Sequence, residues 1–305
     1  MTGGTYCGGV RPVPVDSGEP AAATAASTDT TPVPLRITTD PGVEPSRVLA
    51  VFDLDKTVID TSASMAYRKP LADRGLITTG EMLRLLLMLG NYRLAGHDEN
   101  SLEATKDILV EMVRGRRASD LASVASDALH EVIVPFIYAE ARDLINGHHA
   151  AGHRVAMITA SARILVTPIA EELGVDHLVA TELAVDVDGT FTGEVPFFCR
   201  GAAKVDKLKE LAAEQDIDMS ASYAYSDSVT DLPLLESVGH PVPVNPDKAL
   251  RKEAALRGWE TVTFSRPEPL FHIQDRGIAI AGASAGVALI AALATGLVVR
   301  YRGRD

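Results

Sequence analysis

Apolar and polar residues follow one another along the chain with a spacing that changes from segment to segment. The run Val48–Phe52 is short and wholly apolar, which is typical of a strand buried on both faces of a parallel sheet. Between Ser62 and Asn146, apolar residues recur at three- and four-residue steps, which predicts helices. Helical and strand-like stretches then alternate to about residue 265. The pattern predicts an α/β fold: a Rossmann-like parallel sheet core with an inserted helical subdomain.

The second half of the chain contains the remaining predicted strands, which are Val155–Ile158, Leu178–Ala180, Ser222–Tyr225, Val242–Val244 and Glu260–Phe264. Asp188 and Gly189 lie between alternating residues, which predicts a hairpin. We expect the core to comprise residues 47–61 and 136–265, with a helical cap at residues 62–135.

The two ends of the chain differ from this core. Residues 1–46 are rich in Gly, Pro, Thr, Ala and Ser without apolar periodicity, so we expect a disordered tail. Residues 277–299 contain no charged side chain, and they are long enough for a bilayer core of about 30 Å. We favour a C-terminal transmembrane helix over a buried core helix, because core helices of that length rarely lack a polar face. Gly282 and Gly286 fit a small-residue packing pattern, which suggests self-association through the anchor.

Charge and cysteine content narrow the expected partners. The 305 residues include 29 Lys and Arg against 41 Asp and Glu, a formal net charge of −12. A nucleic acid would meet net repulsion and is not an expected partner. Cys7 and Cys199 are the two cysteines, too few for a disulfide framework or a zinc cluster, which favours a reducing compartment.

Acidic pairs follow two of the predicted strands directly. Asp53 and Asp55 come right after the first predicted strand, and Asp227 and Asp231 follow the strand predicted at 222–225. Ligands of open α/β sheets bind at the carboxyl ends of strands, so these carboxylates are expected at a binding edge. Their mutual repulsion would be costly unless a hard cation were shared between them, and Mg²⁺ is the expected cation.

A hydroxyl and a cation lie between the two acidic pairs. Thr159 closes the strand predicted at 155–158, and Lys204 begins a predicted helix. With the aspartates they form the set needed to hold a phosphoryl group: a nucleophile, two electrophilic contacts and a metal ligand. The order Asp-x-Asp-x-Thr, Ser/Thr, Lys and acidic pair resembles the haloacid dehalogenase superfamily of phosphatases from about Arg47 to Ser265. The branch that contains phosphoserine phosphatases is the most similar, because the helical insertion follows the first motif.

The resemblance implies a role for each motif residue. Asp53 would attack phosphorus and form an aspartyl-phosphate, while Asp55 would act as an acid and then as a base. Thr159 and Lys204 would bind the phosphoryl group, and Lys204 would also orient Asp53. One oxygen of Asp53, the main-chain carbonyl of Asp55 and Asp227 would hold Mg²⁺. The supporting residues that the resemblance implies are Asp231 and Thr57.

The resulting hypothesis is a Mg²⁺-dependent phosphatase for a small phosphorylated substrate, anchored in a membrane with its catalytic domain in the cytoplasm. Two alternatives stay open: a membrane-anchored binding or regulatory protein that keeps the fold without turnover, and a phosphotransferase that uses an alcohol acceptor. The presence of both Asp53 and Asp55 argues against the first alternative, since a non-catalytic relative has no need of a nucleophile and an acid together.

Other polar residues near these motifs are predicted to be solvated. Lys56 lies between Asp55 and Thr57, and its side chain is expected to be in solvent. The histidines expected on the surface around a loop are His148, His149 and His153.

Overall fold

A computed structural model of the chain describes residues 37–78 and 113–265, together with Gly80 and Val110. Within these residues five parallel strands form one sheet in the order β3-β2-β1-β4-β5. The strands are β1 (Leu49–Phe52), β2 (Arg154–Ala162), β3 (His177–Thr181), β4 (Tyr223–Ser226) and β5 (His240–Pro243). The predicted α/β fold with a parallel sheet is confirmed. Because the strands are parallel, their carboxyl ends all lie at one edge, and β1 ends in the middle of it.

The described helices fall into two groups along the chain. Those between β1 and β2 are α1 (Ala63–Ala66), α2 (Arg68–Asp73), α3 (Ala118–Asp127), α4 (Leu129–Val132) and α5 (Ala139–Ala150). Those after β2 are α6 (Arg163–Glu172), α7 (Ala202–Glu214), α8 (Leu232–Glu236) and α9 (Lys248–Arg257). Residues 81–109 lie outside the described part of the chain, so the bounds of the cap, 62–135, stay a prediction.

Helices cover both faces of the sheet, because alternate side chains of β1 enter two separate apolar clusters. Ala50 and Phe52 pack in a cluster with residues of α5 and α6. Leu49 and Val51 pack in the other cluster, with residues of α7, α8 and α9. Successive side chains of a strand point to opposite faces, so burial on both faces requires an uninterrupted apolar run. Asp53 is the first residue beyond that run.

Two histidines lie inside the core, and the prediction that they are surface residues is wrong. His148, in the last turn of α5, and His153, just before β2, are both buried. Their Nδ1 atoms are 2.9 Å apart, His148 Nε2 is 2.8 Å from the Tyr225 hydroxyl, and His153 Nε2 is 2.9 Å from Thr39 Oγ1. Every ring nitrogen therefore has a partner, which makes the burial of two polar rings tolerable. His149 beside them is half-buried.

The folded part begins earlier than the predicted boundary at residue 47. The hydroxyl of Tyr223 accepts a hydrogen bond from the main-chain N–H of Thr38 (3.1 Å) and donates one to the Thr38 carbonyl (2.6 Å). Pro45–Arg47 then form a 3₁₀ turn that leads into β1. These contacts use polar groups rather than an apolar repeat, which is why the sequence pattern does not reveal them. Residues 1–36 of the predicted tail lie outside the described residues.

The predicted hairpin is confirmed. Val185 bridges Phe191, and the Asp186 N–H donates to the Thr190 carbonyl at 2.8 Å. Gly189 has a φ of 76°, a left-handed conformation that glycine adopts without strain. The last predicted strand, Glu260–Phe264, is shorter than expected, and pairing there is an isolated bridge between Val262 and Val244.

Within residues 37–78 and 113–265 no helix has the length and apolar content of a membrane span. The segment 277–299 lies outside those ranges. The predicted transmembrane helix, and self-association through it, therefore stay predictions.

Candidate active site

The residues singled out in the sequence meet at the carboxyl edge of the sheet. Asp53 follows β1, and its main-chain N–H donates to the Tyr225 carbonyl at 2.9 Å, so the ladder between β1 and β4 continues to Asp53. Thr159 lies in β2, and Lys204 lies in the first turn of α7. The side chains of Asp53, Thr159 and Lys204 are all buried. The fold thus brings three distant segments of the chain to the end of its central strand.

Lys204 connects the two acidic motifs. Its Nζ donates to Asp53 Oδ1 at 2.7 Å and to Asp231 Oδ2 at 2.8 Å. Ser226, the last residue of β4, donates to the same Asp231 oxygen at 2.7 Å. α7 starts directly after Gly201, whose φ of 56° favours glycine, and this start places Lys204 over the strand ends. The predicted pairing of Lys204 with Asp53 is therefore present, and Asp231 also binds Lys204.

Asp55 accepts hydrogen bonds from two segments. The Ala63 N–H, at the start of α1, donates to Oδ1 at 2.8 Å. Ser161 Oγ donates to Oδ2 at 3.1 Å, and Ser62 Oγ is 3.4 Å from the same oxygen. Sequence reasoning missed Ser161, which lies two residues after Thr159 in the irregular last part of β2. The Ser161 N–H also donates to Thr159 Oγ1 at 3.1 Å, which joins Thr159 to this network.

Asp227 lies on the loop after β4 and is approached from two sides. Thr57 Oγ1 donates to Asp227 Oδ1 at 3.4 Å. The Asp247 N–H donates to the main-chain carbonyl of Asp227 at 2.8 Å, a contact that sequence reasoning did not anticipate. Lys56 is exposed, as predicted, and has a φ of 64° in the left-handed region.

Burial raises the pKa of three aspartates at this edge, Asp53, Asp55 and Asp227. It raises the pKa of Asp53 well above its ordinary value, although Lys204 opposes the shift. Burial also raises the pKa of Asp55, against the hydrogen bonds from Ala63 and Ser161. Burial raises the pKa of Asp227 to about 6, and the charge of Lys56 acts in the opposite direction.

For the pKa of Lys204, the neighbouring charges outweigh burial. Burial alone would lower its pKa, but Asp53 and Asp231 outweigh burial and raise it. The ammonium therefore stays charged, and yet its single positive charge does not balance the carboxylates of Asp53, Asp227 and Asp231. A further cation at this edge would relieve the remaining repulsion.

The oxygen donors at this edge fit Mg²⁺. Among the described residues there is no group of three or more His, Cys, Asp or Glu side chains arranged to hold a metal ion. Mg²⁺ does not require such a group, because it is usually bound through one or two carboxylates and keeps several waters. The carboxylates of Asp53 and Asp227, with the main-chain carbonyl of Asp55, are hard oxygen donors of this kind. These three residues could hold the ion.

The family of the chain follows from a comparison with known proteins. A family model described as haloacid dehalogenase-like hydrolase matches residues 50–236, which include all of the motif residues. The chain belongs to the haloacid dehalogenase-like hydrolase family. Family membership confirms the resemblance predicted from the motifs, and with it the prediction of an enzyme.

Several relatives of this haloacid dehalogenase-like hydrolase carry phosphatase names. A probable phosphatase of Mycobacterium tuberculosis is 40% identical over 83% of this chain and 88% of the relative. A phosphoserine phosphatase of the same organism is 32% identical over 92% of this chain and 87% of the relative. A histidinol-phosphatase of Neisseria meningitidis is 31% identical over 71% of this chain and 98% of the relative.

Solved structures agree with the fold of this hydrolase. A protein of unknown function from Bordetella pertussis superimposes with a TM-score of 0.63 at 30% identity, over 74% of this chain and 99% of that one. A substrate-bound phosphoserine phosphatase has a TM-score of 0.51 at 19% identity, over 73% of this chain and 94% of the other. At that identity the likeness concerns the fold.

Proposed function

We propose that this protein is a Mg²⁺-dependent phosphatase that hydrolyses a small phosphomonoester through an aspartyl-phosphate at Asp53. The observation that carries the proposal is the placement of Asp53, a buried carboxylate at the end of the central strand whose Oδ1 accepts from Lys204. Among the hydrogen bonds of the described residues none ends on Asp53 Oδ2, so Lys204 fixes the carboxylate and leaves that oxygen for chemistry.

Each step of the proposed reaction uses a group at this edge. Asp53 attacks phosphorus with a carboxylate oxygen, and the bond from phosphorus to the leaving alcohol breaks. Asp55 gives its proton to the leaving oxygen and later takes a proton from the water that hydrolyses the aspartyl-phosphate. Thr159 and Lys204 bind phosphoryl oxygens. Bound by Asp53, Asp55 and Asp227, Mg²⁺ would offset the repulsion between an anionic nucleophile and an anionic substrate.

The environment of Asp55 suits an acid that later becomes a base. A proton donor is most effective when its pKa lies near the working pH, and burial raises the pKa of Asp55 in that direction. The hydrogen bonds from Ala63 and Ser161 stabilise the carboxylate once the proton has left. General acid and base catalysis of this kind typically contributes about 10²–10⁴ in rate.

The proposed substrate class is a small phosphorylated alcohol. The named relatives support phosphomonoester hydrolysis, since they include a phosphoserine phosphatase and a histidinol-phosphatase. Next to Asp55 this chain places the hydroxyls of Ser62 and Ser64, which are 2.9 Å apart. Neither hydroxyl carries a negative charge that would pair with an ammonium group of the substrate. A substrate panel should therefore contain phosphoserine, histidinol phosphate and phosphorylated alcohols without an ammonium group.

The test compares the full chain with Asp53→Asn, using p-nitrophenyl phosphate with and without Mg²⁺. We expect Mg²⁺-dependent phosphate release from the wild type and none above background from Asp53→Asn, because an amide is a poor nucleophile. Asp186→Asn is the matched control, since Asp186 is an exposed aspartate of the hairpin. The wild type, quenched in acid, should also carry one phosphoryl group by intact mass, which Asp53→Asn should lack.

The alternatives predict different results in the same assay. A non-catalytic binding protein would give no turnover from the wild type under any condition. A phosphotransferase would release alcohol faster than phosphate when an alcohol acceptor such as glycerol is added. An active Asp53→Asn enzyme would exclude the aspartyl-phosphate.

We also propose that residues 277–299 attach this domain to a membrane. The support is the uncharged run in the sequence and the three arginines that follow it, Arg300, Arg302 and Arg304. Catalytic activity should not require membrane attachment, since the motif residues all lie between residues 53 and 231.

A further inference from the structure

Asp227 is placed on a segment with little regular structure of its own. It follows the last residue of β4, and the next regular element is the short 3₁₀ turn Val229–Asp231. The side-chain contact to Asp227 from Thr57 is long, at 3.4 Å. A carboxylate that binds a metal ion gains affinity when its orientation is fixed before the ion arrives. The orientation of Asp227 therefore depends on contacts from outside the loop.

Asp247 holds the loop on both sides of Ser228. Its main-chain N–H donates to the Asp227 carbonyl at 2.8 Å, and its Oδ2 accepts from the Val229 N–H at 3.0 Å. Its other oxygen, Oδ1, accepts from the Leu250 N–H at 2.7 Å and so caps the start of α9. One aspartate thus joins the loop of Asp227 to a helix of the core.

The segment around Asp247 is itself anchored. Asn245 exchanges two hydrogen bonds with the main chain of Phe264, at 3.1 Å from its Nδ2 and 3.0 Å to its Oδ1. Pro246 is buried between Asn245 and Asp247. The support for the loop therefore comes from a part of the chain that cannot easily shift.

The same contacts argue against Asp247 as a further metal ligand. Both of its carboxylate oxygens accept from main-chain N–H groups, one in the loop and one in α9. Turning either oxygen toward a cation would leave one of those N–H groups without its acceptor. The position of Asp247 fits support of Asp227 better than coordination.

We propose that Asp247 is a positioning residue that sets the affinity of the active site for its divalent cation by holding the Asp227 loop. The inference rests on the proposed function, since it takes Asp227 as a ligand of that cation. Loss of a group that orients a metal ligand typically weakens metal affinity about 10–100-fold.

Two substitutions separate loop support from helix capping. Serine is a good N-cap, so Asp247→Ser can still accept from Leu250, but its single, shorter hydroxyl cannot also accept from Val229. Asp247→Ala loses both side-chain contacts, the one to Val229 and the one to Leu250. Asp218→Ala is the matched control, because Asp218 caps a 3₁₀ turn at the opposite, amino end of β4. Mg²⁺ binding is measured by calorimetry on the full chain without substrate, alongside the unfolding temperature of each variant.

We expect both Asp247 variants to bind Mg²⁺ at least about tenfold more weakly than the wild type, with Asp247→Ser close to the wild type in unfolding temperature. Asp218→Ala should be less stable but should bind Mg²⁺ like the wild type. If Asp247→Ser regains both stability and Mg²⁺ affinity, Asp247 is only a helix cap and the inference is refuted. A wild type that binds no Mg²⁺ would instead refute the proposed metal site, and this inference with it.

Discussion

Replacing His148 with glutamine tests whether the buried histidine pair must be neutral for the protein to fold. The two Nδ1 atoms lie 2.9 Å apart, so exactly one of them carries a proton when they form a hydrogen bond. A second proton on the ring that accepts this hydrogen bond would place two N–H groups face to face. Burial correspondingly lowers the pKa of His148 to about 3, and burial also lowers the pKa of His153.

The expected effect follows from the difference between the folded and unfolded states. An unfolded histidine titrates near pH 6.5, so below that pH the unfolded chain takes up a proton that folded His148 does not. The contribution of His148 to stability is therefore complete above about pH 6.5 and is lost as the pH falls toward 3. Between pH 7 and pH 5 the loss amounts to about 2 kcal/mol of the free energy of unfolding.

The assay is urea denaturation of the wild type and His148→Gln at pH 7, 6 and 5 in buffer without divalent cations. Glutamine does not titrate, so the difference in the free energy of unfolding between the two proteins should narrow by about 2 kcal/mol from pH 7 to pH 5. The active-site carboxylates are common to both proteins and cancel in this difference. A difference that stays constant over this range would refute a neutral His148.

Three further predictions concern the active site and the C-terminal segment. Lys204→Met should lower kcat by at least about a hundredfold, measured with p-nitrophenyl phosphate, because Asp53 and Asp231 lose their shared cation; near-normal turnover would contradict the role of Lys204. Because burial raises the pKa of Asp227 to about 6 and also raises the pKa of Asp53, protons should compete with Mg²⁺, so the Kd for Mg²⁺ by calorimetry should rise at least about tenfold from pH 7 to pH 5. An unchanged Kd would mean that Asp227 does not bind the ion. Deleting residues 277–305 should move the protein from the membrane fraction to the supernatant with its activity intact, whereas equal fractionation of both forms would contradict the anchor.

The edge that carries the candidate active site was predictable because strand ends can be read from the sequence. A continuous apolar run is typical of a strand buried on both faces, and this run ends at Phe52. Asp53 is therefore expected just beyond the end of the strand. Parallel strands then bring their carboxyl ends together, and this places Asp227 and Thr159 near Asp53 without any knowledge of contacts. The hairpin at Asp188–Gly189 was predictable for an equally local reason.

Contacts made through the main chain were not predictable. Asp247 acts on backbone N–H groups, which every residue of the loop has, so no residue type in the loop identifies its partner. The burial of His148 depends on Tyr225 and that of His153 on Thr39, and both partners are distant in the chain and give no periodic signal. Polar side chains are usually assigned to the surface, and that rule fails where distant groups supply hydrogen bonds.

The pairing of Asn245 with Phe264 determines how far the protein can be shortened from its C-terminal side. The ring of Phe264 also packs edge-on against Tyr138, with centroids 5.7 Å apart, and the Ser265 N–H donates to Glu140 at 3.1 Å. A chain cut before Phe264 would lose the partner of Asn245 and uncover the start of α5. An expression boundary placed after Ser265 keeps all of these contacts.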